Sequence, residues 1–227
     1  MILIETKMLY HELSNHIDNG GTMPGTHLTR SDAEAMLLAG YQTNPSVWID
    51  HCRRVGEAAR IIAHHCPDLD EQKAEVLGML HDIGRSVGPV DMRHIVEGYR
   101  FAMARGLPDV ARISLTHSFA IKDAYTSVGN WDCPAEDVAM VQAYLDSIEY
   151  DDYDRLIQLC DYLGDPWGFC ILEKRMVDVT LRRGFNEYTL DKWRAAFKLK
   201  KYFEDKMGLK LYPLLPGIED YVLKGRE

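Results

Sequence analysis

The sequence lacks paired cysteines, long apolar runs and alternating apolar residues, and each absence excludes a class of protein. Its five cysteines form no CxxC pair and leave one over from any full pairing, which argues against a disulfide framework and a thiolate zinc site. No apolar run approaches the roughly 18 residues of a membrane helix. The first residues carry no basic leader, so we expect no signal peptide and a cytoplasmic protein with free thiols.

Basic residues are outnumbered by acidic ones. The 227 residues include 26 Lys and Arg against 35 Asp and Glu, a formal net charge of −9. This balance argues against general nucleic-acid binding, and nothing indicates a membrane partner. Residues 170–210 are the exception, with 11 Lys and Arg against 6 Asp and Glu. We interpret this basic segment as a solvated helical face, with a rim that attracts an anionic substrate as the alternative.

Apolar residues recur at steps of three and four along most of the chain, which predicts an all-α protein. Ser31 is predicted to cap a helix over 31–40, with Glu34 at the capping-box position and Gly40 as its end. The other predicted helices cover 45–65, 70–82, 91–106, 108–117, 135–148, 153–164, 170–184 and 186–208. Period-two alternation is nearly absent, so no sheet of any size is expected.

Four histidines and one aspartate fall on the apolar faces of different predicted helices. His51 shares its face with Val55 and Ile62, which follow it at helical spacing. The other four residues and their companions are His81 with Ala74 and Leu77, His94 with Gly98 and Phe101, His117 with Val110 and Ile113, and Asp161 with Ile157. A single histidine on such a face is usually a core residue with a hydrogen-bond partner. Five polar groups directed into one core all need partners, because burying them without one destabilises the fold.

A shared cation would satisfy all five groups together. Imidazole and carboxylate ligands suit divalent transition metals, and they do not separate Fe from Mn, Co or Zn. His81 and Asp82 are adjacent and differ by about 100° around a helix, so both can reach one site only near the end of that helix. Gly84 is predicted to supply the end. The sequence therefore predicts a divalent metal site inside a helical bundle.

In chain order, the motifs are H-x-x-R-V from His51, L-H-D-I-G from Leu80 to Gly84, His94, His117, and L-C-D from Leu159 to Asp161. This series resembles the HD-domain superfamily of metal-dependent phosphohydrolases. The resemblance covers about residues 45–165 and implies an HD-like helical bundle with the metal site at its centre. We predict one domain over 1–227, with peripheral helices at 1–44 and 166–227. Arg85 stands where many members carry Lys, and the HHE and GYP signatures of the cyclic-di-GMP phosphodiesterase branch are absent.

The resemblance also implies the roles of the metal ligands. The implied ligands of the core ion are His51, His81, Asp82 and Asp161. His94 and His117 resemble the extra ligands of binuclear members, in which Asp82 would bridge both ions. Two ions about 3.5–4 Å apart would convert a bridging water to metal-bound hydroxide for in-line displacement at phosphorus. The predicted function is hydrolysis of a phosphomonoester or phosphodiester of a nucleotide or another small phosphorylated metabolite.

Three basic residues are candidates for contact with such a substrate. Arg54 lies one turn after His51, and its guanidinium fork matches phosphate oxygens; a surface salt bridge is the alternative. Arg85 and Lys122 are weaker candidates, each with a solvated position as the alternative. Asp82 and Arg54 are the candidate catalytic residues.

Two other functions stay open at this point. A set of four histidines and two aspartates also resembles the diiron oxygenase branch of the superfamily, which acts on a small polyol or phosphonate. A non-catalytic regulatory domain could keep the ligands for stability. Oxygen dependence with bound iron would separate the oxygenase from the hydrolase. The sequence predicts neither the substrate nor an oligomeric state.

Overall fold

A computed structural model describes residues 28–224, and nearly all regular structure in that range is helical. The helices are α1 (Arg30–Thr43), α2 (Trp48–His64), α3 (Glu71–Leu80), α4 (Arg93–Met103), α5 (Pro108–Thr116), α6 (Ala135–Ser147), α7 (Asp152–Leu163), α8 (Leu172–Arg183), α9 (Thr189–Met207) and α10 (Ile218–Lys224). Short 3-10 helices cover Ile83–Val87, Ala124–Thr126 and Tyr212–Leu214. Two strands, β1 (Gly164–Asp165) and β2 (Gly168–Phe169), pair antiparallel. The all-α prediction is confirmed, and expectations for residues 1–27 lie outside the described range.

Helix α2 packs most extensively against α3. Its predicted apolar face is buried, and Val55, Ala58 and Ile62 are fully inaccessible to solvent. The two helices approach closely because each has a glycine at the crossing. A Cβ atom on Gly78 would lie 2.7 Å from the Cα of Gly56, which is closer than carbon atoms can pack.

The Ile83–Val87 3-10 helix packs against α4, and α4 packs against α5. The contact with α4 has no room for a side chain at Gly84. A Cβ atom there would lie 1.9 Å from the carbonyl oxygen of His94 and 2.4 Å from the backbone nitrogen of Gly98. Gly84 therefore fixes the distance between the segment after α3 and the first turn of α4.

Two local predictions are wrong. The capping box of α1 is formed by Thr29 and Asp32, not by Ser31 and Glu34, and α1 continues past Gly40 to Thr43. Gly40 is instead buried within the helix. Helix α3 does end before Asp82, but Gly84 is not its C-terminal cap: the cap residue is His81, and the glycines with positive φ are elsewhere.

The helices after β2 pack against the bundle from outside. Met176 of α8 and Phe203 of α9 are buried, and both helices contact α7. All five cysteines are free, and all except Cys133 are buried; they are Cys52, Cys66, Cys133, Cys160 and Cys170. Among the described helices, none is long and apolar enough to cross a membrane. The extent of a single domain over 1–227 stays a prediction.

Candidate metal centre

The six predicted ligands come from five parts of the bundle, and each lies within about one turn of a helix end. His51 and His94 are in the first turns of α2 and α4. His81 and His117 cap the C-termini of α3 and α5, and Asp82 follows His81. Asp161 is in the last turn of α7. The ends of these helices therefore meet at one place.

Buried polar contacts hold the C-terminal end of α5 against α7. The Asp154 carboxylate of α7 is fully buried, and it accepts hydrogen bonds from Arg112 and from the hydroxyl of Thr116 (2.7 Å) on α5. The Gln158 amide, one turn later on α7, donates to the Thr116 carbonyl at 3.1 Å. Thr116 directly precedes His117, so these bonds fix the end of α5 against the helix that carries Asp161.

Every histidine of the centre has a backbone carbonyl oxygen at its Nδ1 atom. The partners and distances are Gly164 for His51 (2.8 Å), Gly78 for His81 (2.7 Å), Asp91 for His94 (2.5 Å) and Ile113 for His117 (3.0 Å). Gly78 belongs to the last turn of α3, where carbonyl groups lack intrahelical partners. Ile113 belongs to the last turn of α5, and its carbonyl accepts the backbone N–H of His117 as well as the ring N–H. Helix ends therefore supply the acceptors that orient these rings.

A carbonyl oxygen can only accept, so Nδ1 carries the proton in each ring. In a neutral ring Nε2 then presents a lone pair, and the Nε2 atoms face one another in two pairs. The Nε2 atoms of His51 and His81 are 3.2 Å apart, and those of His94 and His117 are 3.3 Å apart. Two lone pairs at this distance repel each other unless a cation or a proton lies between them.

The two carboxylates lie beside these nitrogen pairs. Oδ1 of Asp161 is 3.0 Å from Nε2 of His51 and 3.7 Å from Nε2 of His81, and its side chain is 29% exposed. Oδ1 of Asp82 is 3.0 Å from Nε2 of His94 and 3.5 Å from Nε2 of His117, while Oδ2 lies 3.9 Å from Nε2 of His81. Asp82 thus borders both pairs. In the described part of the chain, two groups could each hold an ion: His51, His81 and Asp82, and Asp82, His94 and His117.

Asp82 is buried and carries a charge without full hydrogen bonding. Its Oδ2 accepts a hydrogen bond from Nε of Arg85 at 2.5 Å, whereas Oδ1 has no hydrogen-bond partner among residues 28–224. Burial alone would raise the pKa of Asp82, but Arg85 and the imidazoles of His94 and His81 outweigh it and hold the pKa well below its ordinary value. The carboxylate is therefore ionised, with one unbonded oxygen directed at the histidines.

These observations meet the requirements of a divalent metal site. Burial lowers the pKa of His51 and of His94, which favours the neutral rings that bind metals. An unbonded buried carboxylate oxygen and facing lone pairs are both relieved by a cation. The neighbouring thiols do not compete, because burial raises the pKa of Cys52 and Cys160 well above the ordinary value.

The comparison with protein families agrees with this geometry. The family model of the HD domain matches residues 48–164, which is more than half of the chain and includes all six predicted ligands. The chain belongs to the HD domain family. HD domains bind divalent metals and belong to a superfamily of metal-dependent phosphohydrolases.

One curated relative is similar over a shorter stretch. Ribonuclease Y 2 of Bdellovibrio bacteriovorus is 42% identical over 71 residues, which are 30% of this chain and 13% of the relative. This HD domain protein therefore corresponds to a small part of that relative's length. No solved structure matches the chain.

The basic residues expected to contact substrate in this HD domain are bound to other groups. Arg54 donates to Glu57 at 2.7 Å and lies over the ring of Phe169, and it lines a cavity of about 440 Å³ whose lining includes none of the six ligands. Arg85 is at the centre, paired with Asp82. Lys122 donates to the carbonyl of Ile148 at 2.6 Å and contacts none of the ligands.

The backbone partners of the histidines had no sequence signal. Gly164 and Asp91 contribute carbonyl oxygens, and a carbonyl is present at every position, so residue type cannot mark it. Gly164 is also fixed in place by packing, since a Cβ atom there would lie 2.7 Å from a methyl group of Val55. Helix-end position is the one signal that could have indicated such acceptors.

Proposed function

We propose that this HD domain protein is a binuclear metal-dependent phosphohydrolase that acts on a phosphomonoester or phosphodiester of a nucleotide or another small phosphorylated metabolite. The observation that supports this most directly is the sharing of Asp82 between two facing pairs of imidazole Nε2 atoms. One carboxylate beside two pairs of neutral nitrogen ligands suits two cations better than one.

In this proposal the residues divide into two ligand groups. His51, His81 and Asp161 would hold one ion, His94 and His117 would hold the other, and Asp82 would contact both. Fe, Mn, Co and Zn all suit this donor set. The bound ions would supply the Lewis acid that activates water and neutralises charge on the phosphoryl oxygens.

The protein groups around the ligands would fix the ligand side chains in position before a metal ion binds. The carbonyl partners at Nδ1 keep each ring in one tautomer and one orientation, as second-shell acceptors do in metal sites. Arg85 holds Oδ2 of Asp82 and leaves Oδ1 free for coordination. Burial of His81 and Asp82 keeps bulk water away from these ligands, which strengthens their interaction with a cation.

The first experiment combines elemental analysis with an activity screen. Purified wild type is expected to contain divalent transition metal and to hydrolyse at least one member of a panel of nucleotides, sugar phosphates and short phosphodiesters. The panel includes short RNA oligonucleotides, because the relative described above is named a ribonuclease. Bound iron with oxygen-dependent turnover of a polyol or phosphonate would instead favour the oxygenase. Bound metal without turnover of any compound would favour a regulatory domain.

Asp82→Ala tests the mechanism at its central residue. This variant removes a ligand of both ions and a compensating negative charge, so we expect loss of metal and of nearly all hydrolysis. Asp191→Ala is the matched control, because Asp191 is an exposed carboxylate of α9 paired with Arg194. Full activity of Asp82→Ala would rule out this mechanism.

A further inference from the structure

Arg175 of α8 lies outside the matched residues 48–164, within the basic segment interpreted from sequence as a solvated face. Its side chain is only 16% exposed. Among the described residues, its guanidinium makes a single hydrogen bond, from Nη1 to Oδ2 of Asp165 at 3.4 Å. A guanidinium has five N–H donors. Most of the donors on this largely buried cation are therefore without a protein partner in the described part of the chain.

The contact of Arg175 with Asp165 connects it to the metal centre through the neighbouring backbone. Its partner Asp165 is fully buried and follows Gly164, the residue whose carbonyl accepts the Nδ1–H of His51. Asp161 lies four residues before Asp165 on the same continuous segment.

The other two arginine candidates are already paired with a carboxylate at short distance. Arg54 is paired with Glu57 and stacked on Phe169. Arg85 is paired with Asp82 and also donates to the carbonyl of Val90. Arg175 differs from both because, among the described residues, its one carboxylate contact is long, at 3.4 Å, whereas Arg54 and Arg85 each make a short one.

We propose that Arg175 is a substrate-binding residue that holds the phosphate group of the substrate beside the metal centre. A planar guanidinium fork matches phosphate oxygens and binds them in a bidentate manner. A buried cation with unused donors is costly unless an anion completes its hydrogen bonds. This inference rests on the proposed phosphohydrolase function, and it assigns the recognition of phosphate to a residue of α8.

Inorganic phosphate is the probe, measured by calorimetric titration into the Mn²⁺-loaded full chain. Wild type is expected to bind phosphate, and Arg175→Met is expected to bind it about tenfold to a hundredfold more weakly, the range for loss of a charged hydrogen bond. Arg175→Lys keeps the charge without the fork and should fall between them. Arg194→Met is the matched control, because Arg194 is exposed on α9, and its phosphate affinity should equal that of wild type.

Metal content and melting temperature are measured for every variant. If Arg175→Met loses metal or stability, the test uses Arg175→Lys instead. Unchanged phosphate affinity in a stable, metal-loaded Arg175→Lys would overturn the proposal. Absence of phosphate binding by loaded wild type would also overturn it. A wild type that binds phosphate through Arg175 and hydrolyses nothing on the panel would refute the proposed function and leave this binding role intact.

Discussion

At the scale of single residues, the proton on each imidazole decides what the metal centre can bind. Four carbonyl oxygens hold the Nδ1 protons of His51, His81, His94 and His117, so only the Nε2 lone pairs face the interior. Any further proton must therefore sit on Nε2 and compete with a metal ion for the same lone pair. Metal affinity and protonation of these rings are linked for this reason.

His81 is the ring for which this competition is strongest. Burial alone would lower the pKa of His81, but the carboxylates of Asp82 and Asp161 outweigh it and raise the pKa. Without metal, His81 therefore holds its Nε2 proton to higher pH than an ordinary histidine, and metal must displace that proton. We expect metal affinity to rise with pH up to the pKa of His81 and to level off above it. Calorimetric titrations with Mn²⁺ between about pH 5.5 and 8 would measure this, together with proton release. A constant affinity over that range would contradict the prediction.

The number of bound ions is a second property that single residues determine. Removal of His94 or His117 takes away one of the two nitrogen atoms beside Oδ1 of Asp82, while the pair formed by His51 and His81 keeps its full ligand set. We therefore expect His94→Ala and His117→Ala to retain one ion each, against two in wild type. Elemental analysis after saturation with metal gives the stoichiometry. His64→Ala is the control, since His64 is an exposed histidine paired with Glu71. A wild type that saturates at one ion would refute the binuclear hypothesis.

At the scale of elements, the centre depends on how closely the segment after α3 approaches α4. Gly84→Ala places a methyl group against the carbonyl of His94, where no space exists. The segments must separate, and Asp82 and His94 move apart with them. We expect a free-energy loss of about 1–3 kcal/mol or more from overpacking, and weaker metal binding. Denaturant unfolding and metal titration measure the two effects. Val87→Ala, an exposed residue of the same 3-10 helix, should change neither. If Gly84→Ala keeps the stability and the metal affinity of wild type, the prediction is wrong, because the two segments then accommodate the methyl group without moving Asp82 and His94 apart.

The elements also show what sequence could predict. Helical periodicity placed His51, His94 and His117 on buried faces, because a buried face has a period that the sequence carries. It could not predict which Nε2 atoms meet, since that depends on how helix ends converge in three dimensions. The α1 cap was ambiguous for a local reason: Thr29 and Ser31 both have an acidic residue three positions later, and only packing selects one. Arg175 was missed because a buried arginine and a solvated one have the same sequence signature.

At the scale of the whole molecule, the ligands join segments that are far apart in the chain. They run from His51 to Asp161, and Asp82 lies between the two histidine pairs, so bound metal would connect α2, α4, α5 and α7 to the segment after α3. The unfolded chain cannot present these groups together. Metal should therefore bind the folded state almost alone and stabilise it by mass action.

Removal of metal tests this connection. At a free metal concentration 100 times Kd, one site adds about 2.7 kcal/mol to the free energy of unfolding. For a chain of this size, that corresponds to a rise in Tm of about 5–10 °C. We expect wild type to lose this increment in EDTA and to regain it when Mn²⁺ is added. Asp82→Ala should unfold at the same temperature with and without Mn²⁺, because it lacks the ligand that both groups share. If wild type binds metal and its Tm is unaffected, the ions occupy a site that does not join these helices, and the assignment of the six ligands is wrong.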